Sequence, residues 1–125
     1  MRILAVSNDL SVLSELNEVL KKIFPEADVI KETDPLMACK YSFKNEVNFV
    51  FADREMKRMS FSDLTQFIKK ERPRAKTYLI DKNALTLDEL ICDGDGVIDY
   101  PFSLEELTKA LKGEETADAR QKKQR

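Results

Sequence analysis

Short apolar runs alternate along the chain with longer segments in which apolar positions recur every three or four residues. That alternation predicts strands and helices in βα succession, and hence an α/β fold on a parallel sheet. Ile3-Leu4-Ala5-Val6 is apolar without interruption, the pattern of a central strand covered on both faces. Leu13, Leu16, Leu20 and Ile23 keep i, i+3/i+4 spacing and predict a first helix from about Asp9 to Phe24. Val29-Ile30, set among polar residues, predicts an edge strand. Asp34-Pro35 supplies a capping carboxylate and a proline at the first helical position, opening a second helix. Leu36, Cys39 and Phe43 are expected to form its buried stripe.

Phe49-Val50-Phe51-Ala52-Asp53 is the third strand, an apolar run that ends on an acid. Phe61, Leu64 and Ile68 share a face of a third helix, entered at Ser60 and stopped by Pro73. Tyr78-Leu79-Ile80 is the fourth strand. Leu87, Leu90 and Ile91 predict a short helix entered through Thr86-x-x-Glu89, which has capping-box form. Val97-Ile98 is the fifth strand. Ser103-x-x-Glu106 is a second capping box, before a helix lined by Leu104, Leu107 and Leu111. These make five βα units in one domain over residues 1–113. The charged stretch at 114–125 is expected to be a solvated tail or linker.

Composition narrows the chemistry. The 125 residues are 42% hydrophobic and 35% charged, with a net charge of -2, which reads as a soluble, cytoplasmic domain. No apolar run approaches the roughly 20 residues of a membrane helix, so no membrane partner is expected. The chain has no histidine, which excludes Ser-His and Cys-His nucleophile pairs and His-ligated metals. Cys39 and Cys92 are read as small apolar residues rather than a redox pair. Five bases around one acid in "KKERPRAK" fall at a helix C-terminus, where they suit the macrodipole, so direct nucleic-acid contact is not expected. "DGDG" at 93–96 lacks the spacing of a calcium loop and is read as a turn; Met56, Met59 and Phe61 are read as loop packing.

In a parallel α/β sheet the site lies beyond the carboxyl ends of the strands. Ser7, Asn8, Asp53, Asp81 and Tyr100 arrive there by position. Asp9 stands beside them but is better explained as a first-turn or N-cap acid of the first helix. From its residues alone, Asp53 is either a reactive carboxylate or a polar residue closing a strand.

The ordered motifs "ILAVSND", "FADREMKRM" and "DGVIDYPF" resemble the receiver domain of two-component response regulators over about residues 2–112. "MRILAV" and "FPEADV…ETDPLMA" are most similar to receivers that precede LytTR-type DNA-binding domains. The resemblance implies a CheY-like, flavodoxin-like doubly wound sheet of order 2-1-3-4-5 with helices on both faces. It places Asp53 at the phospho-acceptor position and puts Asn8, Asp53 and the Glu55 backbone carbonyl at metal-ligand positions. Ser7 and Asn8 stand where the family has two Mg²⁺-binding acids, Asp81 where it has Ser/Thr, and Tyr100 where it has lysine. Phe61 and Val97 replace a glycine and an aromatic switch residue. Each exchange at the acid, Ser/Thr and lysine positions removes a metal ligand or a cation, or adds an anion, at a centre where phosphoryl transfer depends on electrostatics. Arg54, Lys57 and Lys82 are the candidates to restore positive charge.

The expectation is an atypical receiver module that acts through protein contacts, with phosphorylation of Asp53 and Mg²⁺ binding weak or absent. The alternatives are a working Mg²⁺-dependent phospho-receiver and the input domain of a DNA-binding regulator. No enzyme activity is expected beyond, at most, self-phosphorylation from a phosphodonor. Expected partners are a cognate kinase, an effector domain or a second copy. They would meet the face made by the Leu87–Ile91 helix, the fifth strand and the last helix.

Overall fold

The computed structural model describes residues 1–54, 56–82 and 94–112. Five strands, β1 (Arg2–Val6), β2 (Asp28–Glu32), β3 (Phe49–Asp53), β4 (Lys76–Asp81) and β5 (Gly96–Asp99), form one sheet of order β2-β1-β3-β4-β5. Every adjacent pair is parallel. Four helices are described: α1 (Leu10–Ile23), α2 (Pro35–Lys44), α3 (Phe61–Glu71) and α4 (Leu104–Leu111). The predicted helix at Leu87, Leu90 and Ile91, its Thr86 and Glu89 box, Cys92 and the tail lie outside the described residues.

Alternation along the central strands sends side chains to two cores. Ile3, Ala5 and Phe51 pack with Leu13, Leu16, Leu20 and Leu107 under α1 and α4. Leu4, Val6, Val50 and Ala52 pack with Ala38, Leu64 and Ile68 under α2 and α3. β1 and β3 are therefore apolar at nearly every position, because neither face meets water. The one polar side chain of β3, Asp53, comes at its last residue, where the sheet ends.

The helix starts follow the sequence. Asp9, Asp34, Ser60 and Ser103 each cap a helix by accepting a backbone N–H two or three residues on. In the last box Glu106 accepts from the Asp99 N–H at 2.9 Å, tying α4 to the end of β5.

Two expectations about buried stripes are corrected. α2 buries Pro35, Ala38, Cys39 and Ser42, while Leu36 is 37% and Phe43 58% exposed. The small side chains of Ala38 and Ser42 face inward and let the helix lie close to the sheet, which turns the larger apolar residues outward. Leu104 is likewise half exposed, leaving Leu107, Ala110 and Leu111 as the buried side of α4.

Two of the five bases of "KKERPRAK", Lys69 and Arg72, make contacts within the fold. Lys69 pairs with Asp95 at 2.6 Å. Arg72 donates from Nε to the Ser42 carbonyl at 2.8 Å, from one terminal nitrogen to the Phe43 carbonyl at 3.2 Å and from the other to Glu46 at 3.1 Å. It thereby caps the C-terminus of α2 with a guanidinium from the end of α3.

Phe61 is buried, and a Cβ placed on Gly94 would lie 2.7 Å from its Cζ. The ring fills the space that the missing side chain leaves. Gly94→Ala should therefore destabilise the domain by about 1–3 kcal/mol in urea denaturation, and Phe61→Leu should recover part of that loss. Additive losses in the double variant would show that the two positions do not share this space.

Candidate functional site

β3 runs between β1 and β4, so Asp53 emerges at the centre of the carboxyl edge. Its side chain meets the residue that follows β1 and the residue that follows β4. Asp53 is only 3% exposed. Its Oδ2 accepts a hydrogen bond from the hydroxyl of Ser7, which is fully buried. The Ser7 oxygen in turn accepts from the Asp9 N–H at 3.0 Å, which directs the hydroxyl proton towards the carboxylate. Lys82 places its Nζ 3.4 Å from the same Oδ2, with about a third of its side chain exposed. Asp53 Oδ1 is buried and makes no hydrogen bond among the described residues.

These contacts answer an electrostatic need. A carboxylate removed from water loses several kcal/mol of hydration unless charge and hydrogen bonds replace it. Here a hydroxyl and an ammonium do so, and both act on one oxygen. Of the three bases singled out in the sequence, Lys82 is the one placed against Asp53. Arg58, which was not among the three, pairs with Asp34 at 3.3 Å, from a backbone φ of 73°. Lys57 lines a cleft of about 480 Å³ with Asn8, Thr33 and Arg58.

The remaining sequence candidates take separate places. Asn8 is exposed and opens onto that cleft. Asp81 closes β4 one step beyond Ile80, the residue in register with Asp53, and is 6% exposed. Tyr100 turns towards α1: its hydroxyl donates to the Glu15 carboxylate and its ring stands edge-on to Phe102, 5.1 Å between centroids. That hydrogen bond, followed by desolvation and by the charges of Glu15 and Asp9, holds the phenol above the ordinary tyrosine range. Any stability gained there is present at lower pH and lost as pH rises through the raised value. Glu55 lies outside the described residues. Ser7 was legible only as a missing acid; its part as the hydrogen-bond donor to Asp53 needed the alignment of β1 with β3.

Among the described residues, the groups around Asp53 are a poor donor set for Mg²⁺. Mg²⁺ keeps several waters in its octahedron and is held by one or two carboxylates, whereas one oxygen of Asp53 already carries an ammonium and Ser7 offers a neutral hydroxyl. Among the described residues no three acidic or thiol side chains gather in a metal-binding group.

No protein-family model matches the chain, and no curated protein matches its sequence. Solved structures do resemble it. A response regulator receiver domain protein of Clostridium thermocellum superposes with a TM-score of 0.78 at 18% identity, over 99% of this chain and 98% of that one. A CheY-like receiver domain protein of Methanospirillum hungatei gives 0.76 at 21% identity, over 98% and 97%. The receiver domain of a sensor histidine kinase of Pseudomonas aeruginosa, described with magnesium in its active-site cleft, gives 0.78 at 18%, over 90% and 94%. The chain therefore has the CheY-like receiver fold, as its residue pattern led one to expect. No helix among the described residues is long and apolar enough to cross a membrane.

A double-mutant cycle on Asp53→Ala and Lys82→Ala should give a coupling of about 1 kcal/mol, the scale of a partly exposed ion pair. Coupling indistinguishable from zero would mean that Lys82 does not neutralise Asp53.

Proposed function

We propose that residues 1–113 form a receiver module of two-component signalling that has given up ready phosphorylation and signals through protein contacts. The supporting observation is the Lys82–Asp53–Ser7 arrangement. The carboxylate at the acceptor position has its own internal cation and hydroxyl on Oδ2. A receiver that takes up a phosphoryl group needs that carboxylate to engage a metal and a phosphodonor. Here the ammonium competes with the metal, and Ser7 and Asn8 stand where the family resemblance places two metal-holding acids. The face of β5, α4 and residues 87–91, the last outside the described residues, remains the proposed contact surface for a kinase, an effector or a second copy, with Glu105 and Lys109 paired along α4 at 3.2 Å. A cytoplasmic setting accords with this reading.

The second reading, a working aspartyl phospho-receiver, is favoured by one observation: among the described residues Asp53 Oδ1 has no hydrogen-bond partner, as expected of an attacking oxygen.

Incubation with a small acyl phosphate and Mg²⁺, followed by intact-mass measurement, separates the two. The proposal expects no phosphoryl adduct on the natural sequence. It expects one after Asn8→Asp, Asp81→Thr and Tyr100→Lys are combined with Lys82→Ala, and its loss when Asp53→Asn is added. Single changes should do little, because groups acting as a unit are non-additive. Stoichiometric modification of the natural sequence at Asp53 would establish the second reading instead.

A further inference from the structure

Three of the six large apolar side chains exposed among the described residues lie on α2: Leu36, Met37 and Phe43, at 37%, 45% and 58% exposure. Leu10 and Leu104 are exposed singly on other helices, as is common on protein surfaces. The α2 residues are different because they share a stripe. Positions 36, 37, 40, 43 and 44 fall on one side of the helix. Together with Phe67 of α3 they line a groove of about 460 Å³ between the two helices.

Two braces hold the groove open. At one end Arg58 of the β3–α3 connection pairs with Asp34, the N-cap of α2. At the other Arg72, the C-cap of α3, binds the last carbonyls of α2 and Glu46. The start of α2 is thus tied to the connection entering α3 and its end to the C-cap of α3, so a ligand would meet a preformed surface rather than order one.

Charge decides the occupant. Lys40 and Lys44 stand in the apolar stripe, exposed, and neither forms an ion pair among the described residues. With Arg58 they give the lining three cations against the one acid, Asp34. A second copy pairing face to face would bring Lys40 and Lys44 against their own equivalents. An acidic amphipathic segment would instead place apolar anchors over Phe43 and Met37 and carboxylates beside the lysines.

We infer that the α2–α3 groove is a docking site for an acidic amphipathic helix of a partner protein, recognised by apolar anchors at helical spacing and flanking carboxylates. The site is separate from Asp53 and does not depend on how that residue reacts.

The test is selection of helical peptides from a randomised display library on the immobilised protein, then titration of one winner and its charge-reversed counterpart into isotope-labelled protein by NMR. Enriched sequences should carry apolar residues three and four apart with net negative charge. Shifts should centre on Met37, Lys40, Phe43, Lys44 and Phe67. The charge-reversed peptide, and the Lys40→Glu/Lys44→Glu variant with the original peptide, should each bind about tenfold more weakly or worse. Phe43→Ser, at an exposed position that leaves the fold spectrum unchanged, should remove binding. Failure to enrich, enrichment without acidic bias, or shifts on another face would overturn the inference. So would matching shifts with anionic phospholipid vesicles alone. Dimerisation of the natural protein that Phe43→Ser abolishes would give the groove to a second copy and overturn it equally.

Discussion

A nearly dry carboxylate at the end of the central strand is the constraint around which the carboxyl edge of this domain is arranged. β3 is apolar because both its faces are covered, and it ends on Asp53 before the backbone reaches solvent. The charge must then be met from the neighbouring strands. β1 delivers Ser7 and β4 delivers Lys82, each one residue past its strand, and both converge on the same oxygen. The same parallel order that builds the two cores therefore also supplies the groups that stabilise this carboxylate. Tyr100, which follows β5, links the end of that strand to α1 through Glu15.

Much of the fold was legible in the sequence because its periodicities are strong. Unbroken apolar runs marked β1 and β3, and polar caps at Asp9, Asp34, Ser60 and Ser103 fixed four helix starts to within a residue. α2 was misread for a physical reason. Its residues offer two stripes at helical spacing, one of large apolar side chains and one of small ones. Hydrophobicity alone favours the first, but close approach to a sheet favours Ala38 and Ser42. The stripe left outside is the one that lines the groove braced by Arg58 and Arg72.

The site was legible in its centre and not in its surroundings. An apolar run ending on an acid marked Asp53 at the end of a strand, while leaving open whether it is a reactive carboxylate or a polar residue closing that strand. Which base neutralises it depends on where Arg54, Lys57 and Lys82 leave their elements, and only the strand register places Lys82 there. The sequence left Asp9 as a first-turn or N-cap acid of the first helix, and the structure makes it the N-cap. The long-range roles of Ser7 and Arg72 were not legible, because their partners lie 46 and 30 residues away, at Asp53 and Ser42.

The central claim is that Lys82 occupies the place at Asp53 that a metal would need. A high-resolution crystal structure of the natural sequence, grown near neutral pH with abundant Mg²⁺, tests it most directly. The account predicts the Lys82 ammonium and the Ser7 hydroxyl on Asp53 Oδ2, with no metal at the carboxylate. An octahedral Mg²⁺ bound to Asp53, with Lys82 swung into solvent, would contradict it.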